Sequence, residues 1–147
     1  PRLFIMAISF RWMDLKNCQK RSNMTQEEKS LLLKDLCARL PYKQHIYIKD
    51  EKVDVDIDTI LDGAYIHEWV TLPSCQNVII KPYLRPMSSM TREEHAYYFY
   101  YQSRLRDGIL GTIGEYLDWL ITNHFDYRGL IPMGLALEAI DGMYETE

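Results

Sequence analysis

From Thr25 onward the apolar residues Leu32, Leu33, Leu36, Cys37 and Leu40 recur at helical spacing, and Pro41 forbids continuation past Leu40. The pattern predicts a first helix over residues 25–40. Gln44 to Lys49 is β-branched and aromatic, and Val53-Asp54-Val55-Asp56-Ile57-Asp58 then alternates strictly, placing three apolar residues on one strand face and three aspartates on the other. Joined by the polar turn Asp50-Glu51-Lys52, the two segments predict a hairpin. A third strand is expected within Ala64 to Leu72 and a fourth within Asn77 to Tyr83, with Pro73-Ser74 turning the chain between them. Pro82 and Pro86 are expected to end the ladder, because proline has no amide proton to donate.

After Pro86 the segment His95 to Tyr101 is aromatic on all sides. It is read as part of a helix that opens at Thr91 and closes at Asp107-Gly108, with a β-strand as the alternative because aromatic residues favour strands. Ile113, Tyr116, Leu117, Leu120 and Ile121 follow at i, i+3, i+4, i+7 and i+8, so a second C-terminal helix over 112–123 is expected to dock flat on a core. Leu130 to Ala139 is apolar but broken by Pro132 and Gly134, which predicts a packed turn of helix or a last strand. Helix starts are marked by three Thr-x-x-Glu sequences, Thr25 to Glu28, Thr91 to Glu94 and Thr112 to Glu115, each able to form a capping box in which the hydroxyl and the carboxylate satisfy orphaned amides reciprocally. Taken in order, the elements predict an α+β fold: an N-terminal helix, an antiparallel meander of three to four strands, and two C-terminal helices packed on one face. No βαβ alternation is visible, which argues against a doubly wound nucleotide-binding fold.

Composition refines this picture in three places. At 147 residues with 47% hydrophobic and 26% charged content, the chain fits one globular domain, and its longest uncharged apolar run, Leu3 to Phe10, is far short of a bilayer span. Arg2, Arg11, Lys16, Lys20 and Arg21 face only Asp14 in residues 1–23; that segment carries +4 and, with a net charge of −4 overall, residues 24–147 carry −8. An acidic body argues against nucleic-acid binding and leaves basic protein surfaces open as partners. Three widely spaced cysteines, Cys18, Cys37 and Cys75, suit neither a disulfide framework nor a zinc site and fit reduced thiols in a cytoplasm. The compositional break before Met24 leads us to read Met24 as the biological start and residues 1–23 as upstream frame or a fragment edge, against the competing readings of a signal peptide or a genuine first element; residues 24–147 are then a single domain.

Candidate chemistry is sparse. Asp54-x-Asp56-x-Asp58 opens like a calcium loop, but Thr59 stands where glycine is required and Tyr65 where glutamate should be, so the aspartates are read as a wet strand face. His45, His67, His95 and His124 lack close His or Cys partners, and no metal or cofactor is called for. Gly108, Gly111 and Gly114 match neither GxGxxG nor a P-loop, and no nucleophile elbow is present. The one segment suited to recognition is Lys81-Pro-Tyr-Leu-Arg-Pro-Met, a proline-stiffened stretch with two cations and an aromatic that would lose little entropy on binding. With Tyr127-Arg128 it defines the candidate binding residues Lys81, Tyr83, Arg85, Tyr127 and Arg128, of the types enriched at interface hot spots.

The phrases Met24-Thr-Gln-Glu-Glu-Lys, Leu31-Leu-Leu-Lys-Asp-Leu-Cys-Ala-Arg-Leu-Pro-Tyr, Lys81-Pro-Tyr-Leu-Arg-Pro-Met-Ser-Ser-Met-Thr and His124-Phe-Asp-Tyr-Arg-Gly-Leu-Ile-Pro-Met-Gly-Leu-Ala-Leu-Glu-Ala resemble a family of short uncharacterised proteins encoded on phages and mobile elements of gut bacteria. The resemblance runs from Met24 to about Tyr144. It implies a cytoplasmic accessory protein and brings no catalytic residue or cofactor. The expected function is binding of a protein partner of the host or element, without a membrane or nucleic-acid role; the alternative is a small hydrolase or nucleotide-handling enzyme built on Asp54, Asp56 or Asp58 with His45 or His67.

Overall fold

The computed structural model describes residues 24–50, 55–71 and 78–145. It is an α+β arrangement of four helices and a four-stranded mixed sheet among these residues. Helix α1, Gln26–Arg39, starts where the first capping box predicts: Thr25 Oγ1 accepts from the Glu28 amide at 3.1 Å, and Glu28 accepts from the Thr25 amide at 2.8 Å. Its inward stripe is Leu32, Asp35, Leu36 and Arg39. A 3-10 turn, Leu40–Tyr42, follows, and Lys43 at φ 50° bends the chain into the sheet.

Strand β1, His45–Asp50, alternates inward and outward and is central. It pairs antiparallel with β2, Val55–Ile60, and with β3, Val78–Leu84. The aspartates behave as period-two alternation requires, with Asp56 and Asp58 exposed while Ile57, opposite Ile48, packs toward the core. Asp54 lies outside the described residues, as do residues 1–23 and the predicted Pro73-Ser74 turn.

Several expectations are corrected. Residues 64–72 were expected to supply a strand; instead Gly63–Thr71 is helix α2. Asp62 starts it by accepting the Ala64 amide at 2.9 Å, and Tyr65, Ile66 and Trp69, at helical spacing, all face inward. The sheet is consequently no meander: its order is β2-β1-β3-β4, so the chain leaves the β2 edge, winds through α2 and returns on the far side of β1. Strands β2 and β3, both antiparallel to β1, run parallel to each other, and β2-α2-β3 is a crossover of the kind the sequence did not display. Strand β4, Leu137–Glu138, resolves the ambiguous apolar segment after residue 130 as a short strand parallel to β3. The β1–β3 ladder ends at Pro82, as expected, while β3 itself continues to Leu84 and pairs there with β4.

Helix α3, Arg92–Arg106, decides the question over residues 95–101 in favour of helix, and its capping box between Thr91 and Glu94 forms in full. Helix α4, Thr112–Thr122, opens differently from expectation. Its N-cap is Gly111 with no side-chain cap, and Thr112 is instead buried, its hydroxyl accepting from Arg104 Nε at 3.1 Å. The α4 apolar stripe does not lie flat on the core either: Leu120 is buried, whereas Ile113 and Leu117 are exposed.

The main core joins α1 and α2 to one sheet face through Leu32, Leu36, Ile46, Ile48, Trp69, Ile80 and Leu84. Each such side chain removed from water contributes about 1.5–3 kcal/mol. A second, smaller cluster of Met90, Leu120 and Phe125 seats the α3–α4 hairpin, with Tyr98, Tyr116, Trp119 and Tyr127 packed around it.

Candidate functional site

At Pro82 the main-chain ladder from β1 to β3 stops, and a side chain takes over. Gln44, fully buried, shares its two Nε2 protons among His45 O at 2.9 Å, Tyr83 O at 2.7 Å and the Tyr144 hydroxyl at 2.7 Å. Tyr144 accepts from the His45 amide and donates to Tyr83 O at 2.7 Å. Because the Gln44 amide group is committed to acceptors, its Oε1 must accept, so the proton on His124 sits on Nδ1, 3.0 Å away. The His124 ring stacks on Tyr144 at 3.7 Å, and its backbone is left-handed at φ 60°. Burial first, and then the nearby Arg39, His45 and Arg85, push the imidazole pKa down to about 4. His124 is therefore neutral at pH 7, and this cluster closes the fold by satisfying backbone groups.

A second polar cluster underlies α1. Asp35 and Arg39, an i, i+4 pair on the inward stripe, are both fully buried with Arg39 Nε to Asp35 Oδ2 at 2.8 Å. Arg39 Nη2 donates to Phe125 O at 2.8 Å, while its Nη1 is buried without a hydrogen-bond partner. Arg128 Nε reaches the other Asp35 oxygen at 3.1 Å and lies over the Tyr127 ring.

These contacts place the five candidate binding residues. Lys81, half-buried, and Tyr83, buried, share the sheet face opposite the main core. Tyr83 donates its hydroxyl proton to Asp58 at 2.6 Å and, through burial and that bond, has its pKa pushed up to about 12. Arg85 forks onto Glu94 at 2.7 and 2.8 Å and stacks over Phe125, so its guanidinium ties β3 to the start of α3. That pairing, chiefly, holds the Glu94 carboxyl below its ordinary range. Tyr127 and Arg128 lie on the Arg39 side, connected to Arg85 through Phe125. Arg85 and Arg128 are thus engaged internally.

Of the groups considered for hydrolysis, Asp56, Asp58 and His45 share the open sheet face, whereas His67 is on α2, whose inward residues pack against the other face. Burial lowers the His45 pKa, partly opposed by Asp58. Among the described residues, no three His, Cys, Asp or Glu side chains gather to hold a metal, and no helix is long and apolar enough to cross a membrane.

The feature that sequence spacing did not place is the α3–α4 hairpin surface. Tyr97, Tyr98, Phe99, Tyr100 and Tyr101 run consecutively along α3, yet no α3 residue is buried. Tyr98 and Tyr101 line the seam against Tyr116, and Tyr101 also meets Trp119. Tyr97 and Tyr100 turn outward, 56% and 51% exposed, with Arg104 over the Tyr100 ring. No family model, curated protein or solved structure matches the chain.

Proposed function

We propose that this chain is a small accessory protein that acts by binding another protein, consistent with its resemblance to proteins of phages and mobile elements and with a cytoplasmic role. One observation carries the reading: of five consecutive aromatic residues on one helix, two line the seam and three, Tyr97, Phe99 and Tyr100, stand more than half exposed. Exposed aromatic rings supply rigid contact area at low entropic cost and are enriched among binding hot spots. We place the contact surface on Tyr97 and Tyr100, flanked by Arg104, because Arg85 and Arg128 already have internal partners. The hydrolase alternative rests on Asp58 and His45 sharing a sheet face, and it is weakened by the Tyr83 hydroxyl that already occupies Asp58.

The test is affinity capture from a bacterial host lysate with three baits: the native chain, Tyr97→Ala/Tyr100→Ala, and Arg85→Ala/Arg128→Ala. A partner retained by the native chain and lost with the tyrosine pair supports the reading. Equal retention by the tyrosine variant, with loss by the arginine variant, moves the surface to Arg85 and Arg128, and no retained partner at all refutes binding.

A further inference from the structure

The hairpin has a second open side, and its chemistry is aliphatic. On α4 and the turn before it, Leu110, Ile113, Leu117 and Ile121 recur at i, i+3, i+7 and i+11, one stripe of a helix. Leu110 is 77% exposed, and Ile109, Ile113 and Leu117 lie between 36% and 46%. Contacts across the hairpin run Tyr97 to Trp119, Gln102 to Tyr116 and Arg104 to Thr112, so α3 and α4 are antiparallel. The seam passes through Tyr98 on α3 and Tyr116 on α4. One residue further along each helix come Phe99 and Leu117, and equal rotations from the shared seam emerge on the same side of an antiparallel pair. Phe99, 65% exposed, therefore joins the stripe, while Tyr97 and Tyr100 leave on the opposite side.

Gly114 lies within this stripe. Gly111 is the N-cap of α4, a position glycine suits, but Gly114 lies in the first turn, where glycine is less favourable than alanine and no neighbour in the chain requires it, since a Cβ added there meets no atom within 4 Å. A helix from another molecule lying close against α4 supplies the missing reason.

We infer that this side of the hairpin is a self-association surface, on which a second copy of the chain docks about a two-fold axis so that two hairpins form a four-helix bundle. Area selects this occupant. At roughly 180–200 Å² per fully exposed large apolar side chain, the exposed parts of Phe99, Leu110, Ile113 and Leu117 amount to about 400–450 Å². A standard interface takes about 800 Å² per partner, and homodimer faces are about 65% apolar, so these four side chains supply most of the apolar area such a face needs. The stripe carries no charged residue between Leu110 and Gly114, and the charges that flank this stretch are of both signs, Arg106 and Asp107 before it and Glu115 and Asp118 after it. The surface is distinct from the one proposed above for a foreign partner, and either can fail alone.

The measurement is the solution mass of the native chain by sedimentation equilibrium at about 10–100 μM, a range that detects micromolar association. The expected result is a dimer whose dissociation constant rises about a hundredfold in Leu110→Glu/Leu117→Glu, as for loss of an interface centre. Because an exposed double substitution can still disturb folding, Gly114→Leu is the second variant. It raises helix propensity while filling the close approach, so it is expected to weaken the dimer with melting of the monomer unchanged or raised. A monomeric native chain overturns the inference, whether the stripe then takes a foreign helix or residues 1–23 of the same chain. So does a dimer that survives both variants.

Discussion

Asp35 shows how one residue can hold a larger share of stability than its neighbours. It is a fully buried carboxylate accepting from two arginines, and removing it leaves Arg39 charged in a dry site. Asp35→Ala is expected to cost about 3–5 kcal/mol in urea denaturation, the usual penalty for stranding one member of a buried pair. Arg39→Met is expected to cost less, about 1–2 kcal/mol, because Asp35 keeps Arg128 and the unpartnered Nη1 disappears with the side chain. Equal costs would show that Arg128 does not compensate. His124 offers a pH readout. Its folded pKa of about 4 lies below the unfolded value of 6.5, so the unfolded chain binds a proton that the folded chain refuses. The stability it contributes is complete above about pH 6.5 and is lost as pH falls toward 4, on the order of 2–3 kcal/mol. Glu94, with its depressed pKa, loses its contribution at the acid end of that range, as pH falls below its ordinary 4.5. His124→Asn keeps a donor for Gln44 and tolerates positive φ, and it is expected to flatten the slope of the urea midpoint between pH 6.5 and 4. An unchanged slope would reassign it.

Among the elements, the three threonine-glutamate boxes separate by what surrounds them. Thr25→Ala and Thr91→Ala remove one cap bond each and are expected to cost about 1 kcal/mol in thermal or urea unfolding. Glu94 differs from Glu28 because it caps α3 and also receives both arms of Arg85, so Glu94→Ala is expected to exceed Glu28→Ala by about 1–2 kcal/mol. If the two glutamates cost the same, the Arg85 fork contributes nothing to seating the hairpin. Thr112 looks identical in sequence but sits one residue inside its helix, where its hydroxyl serves Arg104. Helix α2, where a strand was expected, teaches a similar lesson: Tyr65, Ile66 and Trp69 carry helical spacing, and Asp62 before them is a capping residue.

For the whole molecule, the arrangement is a sheet closed on one face by α1 and α2, with a hairpin seated through Phe125, Met90 and Leu120. The hairpin leaves Tyr97, Phe99, Tyr100, Leu110 and Ile113 largely outside the core of the chain, and this makes it the place to look for function. Tyr97→Ala/Tyr100→Ala is expected to leave the melting temperature within about 2 °C of the native value, as exposed substitutions do, while abolishing capture of the partner. A larger drop would mean that the rings hold the hairpin together and are not offered to a ligand.

How much was legible divides along the same line. Thr25 with Glu28 and Thr91 with Glu94 could be read directly, because a cap closes within three residues and needs no distant partner. The first helix, the pairing of β1 with β2 and the wet aspartate face followed from periodicity alone. Gln44, Asp35, Arg39 and Tyr144 were not recognisable as a site, since, apart from the Asp35–Arg39 pair and the bond from Gln44 to the adjacent His45 carbonyl, their partners lie 39 to 100 residues away. A charged i, i+4 pair on an otherwise apolar helix stripe was the available signal. Local hydrogen bonds and side-chain period thus determined where α1, α3, β1 and β2 lie; the strand order, the rotation of α4 about its axis and the aromatic face left open were decided only by which apolar surfaces met, a choice between distant segments that no short window contains.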